Sequence, residues 1–191
     1  MHTFGDLVFS TVVRRQTRVR DGLLILTGSM LLAACAKVQV PGPVPFTMQT
    51  FAVVFLGAML GGRRGGLCMI LYLLEGMVGL PVFAGAVAGP AYFAGPTGGY
   101  LFGFVPAAFL VGRLAERGWD RRFLAALAAM VLGSVVILAA GFAWLAVLSG
   151  PRVALAVGVV PFLPGAVLKA LLAAAVLPAG WKCVRFAERA D

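Results

Sequence analysis

The sequence has few of the residues that build catalytic and metal-binding sites. Only 12% of its 191 residues are charged, and it has one histidine, His2, with three scattered cysteines. An odd set of cysteines without a CxxC pair argues against a disulfide framework and against a Cys/His metal site. There is also no HExxH motif, P-loop, nucleophile elbow or pair of carboxylates. The sequence therefore predicts no enzyme activity, no metal and no cofactor, and any ATP would be used by another subunit.

Hydrophobic residues, in contrast, make up 61% of the chain, compared with about half of a soluble domain. An apolar run of about 20 residues spans the hydrocarbon layer of a bilayer as a helix. The chain divides into six such runs at its charges and its Gly/Pro clusters, which predicts an all-α integral membrane protein with a bundle of six transmembrane helices. The predicted helices are residues 22–39, 46–62, 65–82, 97–115, 122–148 and 163–181.

The basic residues predict the orientation of this bundle. Sixteen lysines and arginines and seven acids give a net charge of +9, which in a soluble protein would suggest a nucleic-acid partner. Here they form short clusters between apolar runs, as in membrane proteins, so no nucleic acid is expected. Thirteen of the sixteen lie on one side if six helices alternate, and the positive-inside rule then places both termini in the cytoplasm. The chain would comprise a basic N-terminal segment at 1–21, the transmembrane domain at 22–181 and a basic tail at 182–191.

The N-terminal part allows a second interpretation. A basic segment and an apolar run lead to Leu32, Ala33, Ala34 and Cys35, which resembles a bacterial lipoprotein signal, and Ala34 with Ala36 also fits the small-residue rule for signal cleavage. However, the basic segment is unusually long, and five further apolar runs follow it instead of a soluble domain. We therefore favour its retention as the first transmembrane helix.

Ionisable residues inside the apolar runs are functional candidates, because a charge is costly within a membrane. Lys169 follows Pro164 and Gly165 and should lie about one turn inside the last helix, where the ammonium and the helix dipole would both favour a carboxylate. Snorkelling, with the ammonium among the lipid headgroups, is an equally good alternative. Glu75 in the third run has the same ambiguity.

Two connections on the predicted outer side combine stiff backbone with aromatic or polar side chains. Residues 40–49 contain three prolines and end with Thr47 and Gln49. Residues 80–100 carry no charge. Their aromatic residues are Phe83, Tyr92, Phe93 and Tyr100. Such loops suit an apolar ligand with a few polar atoms, although an aromatic belt at the membrane interface is the alternative.

Segments within these connections resemble the signature segments of the BioY family. They read VPFTMQT at 44–50, GLPVFAG at 79–85 and GPTGGY at 95–100. Gly165 and Lys169, after Pro164, are similar to the family's segment at the start of the sixth helix, and the likeness covers residues 22–181. Since the three segments occur in the expected order and spacing, the resemblance is specific.

This resemblance implies a biotin-specific substrate-binding (S) component of an energy-coupling factor (ECF) transporter. Such a protein lies in the bacterial cytoplasmic (inner) membrane among membrane lipids, captures biotin at the outer side, and works with a transmembrane coupling subunit and a pair of cytoplasmic ATPases. Biotin is then a transported ligand and not a cofactor. An intramembrane enzyme for a lipid or prenyl substrate would need converging acid/base or metal-binding residues, and a purely structural subunit would need no ligand.

The resemblance also implies where biotin binds. Lys169 is expected to bind its carboxylate, and the aromatic residues around Phe83 and Tyr100 to enclose its rings. Gln49 and Thr47 are expected to bond or support its polar end. The complete predicted substrate-binding set is Lys169, Gln49, Thr47, Phe83, Gly85, Tyr100 and Gly165.

One position departs from the family pattern. The residue after Pro164 and Gly165 is commonly aspartate in the family, three residues before the lysine, but here it is Ala166. An aspartate there would face Lys169 across one helical turn. Without it, either the ligand is the main counter-ion of Lys169 or another acid approaches from elsewhere.

Small residues on the first helix resemble the patch by which S components contact the coupling subunit. The predicted interface residues are Ser29, Ala33 and Ala36. Ordinary packing within the bundle explains these residues equally well.

Overall fold

The structure is a computed structural model and describes residues 17–40, 42, 44–85 and 88–187, with side chains described from Arg18 to Trp181. Most of the predicted N-terminal segment and the side chains of the predicted basic tail lie outside these residues. The elements in chain order are α1 (Thr17–Lys37), β1 (Gln39–Val40), β2 (Phe46–Thr47), α2 (Gln49–Leu60), α3 (Gly62–Met77), α4 (Pro90–Ala94), α5 (Gly98–Glu116), a 3₁₀ turn (Trp119–Arg121), α6 (Phe123–Ser149), α7 (Pro151–Gly158), a second 3₁₀ turn (Val160–Phe162) and α8 (Leu163–Ala187).

Four apolar helical stretches are long enough to cross a membrane. Within the described part of the chain they are Arg18–Lys37, Gly98–Glu116, Phe123–Ser149 and Pro151–Trp181. The first three correspond to α1, α5 and α6, and the fourth contains α7, the second 3₁₀ turn and α8 as far as Trp181. The predicted all-α class is therefore confirmed, apart from two very short strands.

The second and third predicted transmembrane helices are shorter than their apolar runs. The run at 46–62 contains α2, which has 12 residues, and the run at 65–82 contains α3, which has 16. At 1.5 Å per residue, α2 is about 18 Å long. The chain breaks between the two helices at Gly61, whose positive φ of 83° favours glycine. Hydropathy did not separate the helices from the apolar loop residues beside them, and the count of six spans stays a prediction.

Helix α5 lies at the centre of the bundle, where it packs against α2, α3 and α6. Its glycines permit this close contact. A Cβ atom added to Gly103 would lie 2.9 Å from Cβ of Ala140 in α6, and one added to Gly112 would lie 2.4 Å from the backbone of Gly61 and Gly62. These glycines of α5 therefore serve packing inside the chain, as small residues often do between membrane helices.

A buried hydrogen bond connects α8 to the turn between α5 and α6. The Nε1 group of Trp181 donates to Oδ2 of Asp120 at 2.5 Å, and Asp120 is only 3% exposed. Burial raises the pKa of the Asp120 carboxyl above its usual value, although the Trp181 hydrogen bond acts in the opposite direction. This contact fixes the last helix to that turn, at the end of the bundle opposite to Lys169.

Candidate substrate-binding site

The ammonium group of Lys169 points into the bundle. Lys169 is the seventh residue of α8, nearly two turns from its start and not one as predicted, and the residue is 8% exposed. Its Nζ donates to the backbone carbonyl of Thr47 and to Oγ1 of Thr50 at 3.1 Å. It also lies 4.2 Å from the centre of the Phe46 ring, a cation–π contact. This geometry is the opposite of snorkelling.

All the hydrogen-bond acceptors of this ammonium are neutral. Among the described residues, no Asp or Glu oxygen lies within 4.0 Å of Lys169. Ala166 lies beside Lys169 in the lining of the same small hollow, so no described acid takes the place of the family's usual aspartate. A carboxylate forms a stronger hydrogen bond with an ammonium than a carbonyl or hydroxyl does. The site can therefore accept an anion from outside the chain.

The two predicted polar residues belong to a buried hydrogen-bond chain. Thr47 Oγ1 donates to Gln49 Oε1 at 2.9 Å, and Gln49 Nε2 donates to the Tyr72 hydroxyl at 2.6 Å. The Tyr72 hydroxyl then donates to the carbonyl of Val82 at 2.9 Å. Gln49 is 5% exposed and Tyr72 is fully buried. These hydrogen bonds join β2, the start of α2, α3 and the loop after α3. They hold the Gln49 side chain in position.

Replacement of Tyr72 by Phe should destabilise the protein. The Tyr72 hydroxyl bridges Gln49 Nε2 and the Val82 carbonyl, and its removal leaves both groups without this partner. A buried polar group left unpaired costs about 1–3 kcal/mol, so the melting temperature in detergent is expected to fall. The matched variant Tyr100→Phe removes a hydroxyl that donates to a single carbonyl, that of Gly158, and should cost less. An equal loss in both variants would contradict the bridging role.

Two adjoining hollows lie around these residues. One, of about 40 Å³, is bordered by Thr47, Gln49 and Tyr100, and the other, of about 20 Å³, by Lys169. The residues that border both are Thr50, Leu138 and Phe162. Ligand pockets usually measure about 300–1,000 Å³. In this conformation the site is therefore closed, and a ligand has to displace side chains.

The aromatic side chains differ in their distance from these hollows. The Tyr100 ring borders the larger hollow and lies 6.1 Å from the Phe162 ring. Phe83 is fully buried but borders neither hollow. Its ring stacks on Tyr92 at 4.7 Å and meets Tyr72 edge-on at 5.4 Å. Phe83 therefore supports the residues of the site from behind.

Gly165 also acts on the site through another residue. A Cβ atom added to Gly165 would lie 2.0 Å from Cζ of Phe46. The missing side chain leaves room for the Phe46 ring, on which the Lys169 ammonium rests. The family resemblance placed Gly165 in the binding set, and the structure gives it this steric role.

An open cleft of about 400 Å³ lies beside the larger hollow and includes Gly85. Pro45, Tyr92 and Thr97 border both the cleft and the larger hollow. These three residues therefore lie where the larger hollow and the cleft adjoin.

The loop that carries Gly85 is held by a lysine from the first helix. The Nζ atom of Lys37, at the end of α1, donates to the carbonyl of Phe83 at 2.9 Å and to the carbonyl of Gly85 at 3.1 Å. Gly85 itself has a φ of 77°, which permits the turn. No pattern in the sequence indicated this contact.

The residues predicted to contact a coupling subunit lie mostly inside the bundle. Ser29 and Ala36 are fully buried, and Ala33 is half-buried. Ser29 Oγ donates to Oε1 of Glu75 in α3 at 2.9 Å. These contacts favour the packing alternative for Ser29 and Ala36, and they give Glu75 a partner within the chain. The interface role of the three residues stays a prediction.

Comparisons with known proteins agree with the resemblance noted from the sequence. The family model of the BioY family matches residues 10–186. Among solved structures, the S-component for biotin from an ECF-type ABC transporter superposes with a TM-score of 0.72 at 23% sequence identity, covering 86% of this chain and 92% of that one. This structural likeness shows that the fold is shared.

Curated relatives match over most of their length. "Biotin transporter BioY" of Rhizobium etli is 41% identical over 140 residues, 69% of this chain and 75% of the relative. "Biotin transporter BioY" of Thermotoga maritima is 41% identical over 148 residues, 76% and 86% of the two chains. "Probable biotin transporter BioY" of Pyrococcus horikoshii is 40% identical over 157 residues, which cover 82% of this chain and 93% of the relative. Together with the family match, these similarities show that the chain belongs to the BioY family.

Proposed function

We propose that this chain is the biotin-binding S component of an ECF transporter and a multi-pass protein of the bacterial cytoplasmic membrane. It captures biotin at the outer side and has no catalytic role of its own. The curated relatives are biotin transporters by name, and the superposed structure is an S-component for biotin. Four described stretches are long and apolar enough to span a membrane, which supports the location.

The proposed topology has six spans with both termini in the cytoplasm. In it, α2 and α3 complete the bundle as two short, tilted or irregularly flanked spans. The basic clusters support this arrangement, because arginines from the starts of α1 and α3 and from the end of α5 border one common basin. By the positive-inside rule, that end of the bundle faces the cytoplasm. Pro45 and the cleft around Gly85 then face outward.

The observation that carries the proposal is the inward ammonium of Lys169 with neutral partners. Biotin ends in a carboxylate, which would replace the Thr47 carbonyl and the Thr50 hydroxyl as the principal acceptor. The ammonium lies in the second turn of α8, so the positive end of the helix dipole adds to the attraction. A charge-assisted hydrogen bond of this kind contributes about 1.5–3 kcal/mol.

The larger hollow is proposed to receive the rings of biotin. Tyr100 supplies an aromatic wall, while Thr47 and Gln49 supply hydroxyl and amide groups for the ureido end. The Gln49 amide keeps further hydrogen-bonding capacity beyond its two internal bonds. Because the hollow measures about 40 Å³, the rings of Phe46 and Phe162, whose centres are 5.7 Å apart, have to separate when biotin binds. In this scheme Phe83, Gly85 and Gly165 shape the site indirectly.

The partners proposed for uptake are a transmembrane coupling subunit and a pair of cytoplasmic ATPases. The chain itself has no P-loop, so ATP hydrolysis has to come from other subunits. Ala33 is the part of the predicted α1 patch that stays partly exposed. Contact through Ser29 and Ala36 would require α1 to move away from α3.

Equilibrium binding of radiolabelled biotin to the full chain purified in detergent tests the proposal. We expect saturable binding of one biotin per chain, displaced by excess unlabelled biotin, because the ammonium and the hollow form a single site. Cells that express the chain with a coupling subunit and ATPases should then accumulate biotin only while they contain ATP. Absence of saturable binding by the monodisperse protein would overturn the proposal in favour of a structural subunit.

A further inference from the structure

Five arginines in or directly after three helices border one open basin at the end of the bundle opposite to Lys169. The basin measures about 810 Å³ and has an apolar floor that includes Ile25 and Leu60. Its arginines are Arg18 from α1, Arg63 and Arg64 from α3, Arg113 from α5, and Arg117 directly after α5. The biotin site uses none of them.

The carboxylates of the basin are already engaged by its own arginines. Asp21 Oδ1 lies 3.0 Å from Nε of Arg64, and Glu116 Oε2 lies 3.4 Å from a guanidinium nitrogen of Arg113. Asp21 and Glu116 are the two acids in the lining. Five arginines and two carboxylates leave the basin strongly positive.

Three of the arginines keep their charge available. Within the part of the chain that the structure describes, Arg18, Arg63 and Arg117 have no carboxylate within 4.0 Å. Guanidinium groups recognise phosphate oxygens through paired hydrogen bonds and are less strongly hydrated than ammonium groups. The charge and donor geometry of the basin therefore fit a phosphate group.

An apolar groove continues from the basin along the outer face of α3 and α5. It measures about 380 Å³ and shares Arg63 and Leu67 with the basin. Its other lining residues are Gly66, Ile70, Val105, Pro106 and Phe109. Leu67 and Phe109 are each 44% exposed, so these side chains face the membrane or something bound there. The groove is suited to a hydrocarbon chain.

The basin and the groove meet at one aromatic contact. The guanidinium carbon of Arg113 lies 5.1 Å above the centre of the Phe109 ring. Phe109 therefore has the charged basin on one side and the apolar groove on the other. This arrangement repeats the order of groups in a phospholipid, in which a phosphate at the membrane surface leads into acyl chains.

We propose that the basin and groove form a binding site for an anionic phospholipid of the inner leaflet. Arg63 and Arg117 bind the headgroup phosphate, and one acyl chain lies between α3 and α5 beside Ile70 and Phe109. A soluble phosphate would use only the basin and would leave the groove unfilled. An acidic protein partner would match the arginines but not an apolar groove at the depth of the bilayer. Juxtamembrane basic pockets between helices are known as sites for anionic headgroups.

Native mass spectrometry of the full chain, released from detergent with defined lipids, tests this site. The probes are phosphatidylglycerol and phosphatidylcholine with identical acyl chains, and glycerol phosphate as a headgroup without chains. We expect one phosphatidylglycerol to be retained per chain with at least tenfold preference over phosphatidylcholine. The double variant R63Q/R117Q should lose about 10- to 30-fold in phosphatidylglycerol affinity, since each basic residue near the surface contributes about 1 kcal/mol. The control Arg152→Gln removes an exposed arginine of α7, outside the basin, and should change nothing.

Several outcomes would overturn the lipid assignment. One is equal retention of the two lipids, and another is an unchanged phosphatidylglycerol preference in the double variant. Displacement of the lipid by millimolar glycerol phosphate would identify a plain anion site. If the double variant keeps its lipid but no longer co-purifies with coupling and ATPase subunits, the basin is a protein interface. The melting temperature of each variant checks folding without reference to biotin, so this test is independent of the proposed transport function.

Discussion

Replacement of Lys169 by methionine is expected to weaken biotin binding by about 10- to 100-fold. The variant keeps a side chain of similar length but loses the ammonium that lies inside the bundle with only neutral acceptors. The loss of one hydrogen bond to a charged group, about 1.5–3 kcal/mol, corresponds to one to two decades in Kd. Isothermal titration of the purified chain with biotin measures this change.

Biotinamide, in which the carboxylate is replaced by a neutral amide, provides the matched control on the ligand side. The unmodified chain should prefer biotin to biotinamide by a similar factor, and Lys169→Met should bind both alike. Such a double-mutant cycle isolates the interaction between the ammonium and the carboxylate. Unchanged affinity for biotin in the variant, or a preference for the acid that survives the substitution, would remove Lys169 from the site.

Replacement of Gly112 by alanine is expected to destabilise the bundle strongly. The new Cβ atom would lie 2.4 Å from the backbone of Gly61 and Gly62, and backbone cannot rotate away as a side chain can. Overpacking of this kind costs about 1–3 kcal/mol, which exceeds the gain of about 0.8–1 kcal/mol that alanine brings within a helix. The melting temperature in detergent and the yield of monodisperse protein should both fall.

Gly22 offers a control of opposite sign. It lies in the exposed part of α1, and a Cβ atom added there would have no other atom within 4 Å. Gly22→Ala should therefore stabilise the chain by about 0.4–1 kcal/mol, because it restricts the unfolded chain without a clash. A fall in melting temperature for Gly22→Ala, or none for Gly112→Ala, would contradict the packing described for α5.

The sequence predicted the helical fold well where apolar runs are long and end at charges. The run at 122–148 corresponds to α6 at Phe123–Ser149 within one residue at each end. The prediction of helix ends was less accurate where apolar residues continue into loops. The run at 46–62 includes Phe46 and Thr47, which form a strand with residues 39–40 instead of a helix. Hydropathy reports the preference of a side chain for lipid, whereas the helix ends depend on backbone geometry at positions such as Gly61.

The candidate site was predictable in its charged and polar residues but not in their contacts. Lys169 was selected because ionisable groups are rare inside apolar runs, and Gln49 because it ends the proline-rich connection in a segment that resembles the family signature. Tyr72, which holds Gln49 in place, lies 23 residues further along the chain, and no local pattern connects the two. Phe162 was missed because an aromatic residue in a connection has no signature that separates a site wall from ordinary packing. These contacts depend on the tertiary arrangement of separate helices.

The closed state of the hollows beside Lys169 has a kinetic consequence. If, as proposed, the Phe46 and Phe162 rings separate before biotin enters, only the open fraction of molecules binds it, and the apparent Kd exceeds the intrinsic one by the inverse of that fraction. The association rate constant should accordingly be lower than that of an open site, because a required conformational change slows binding. The two hollows measure about 20 and 40 Å³, room for no more than a few water molecules. At rest, the described residues therefore leave the ammonium of Lys169 with little water around it.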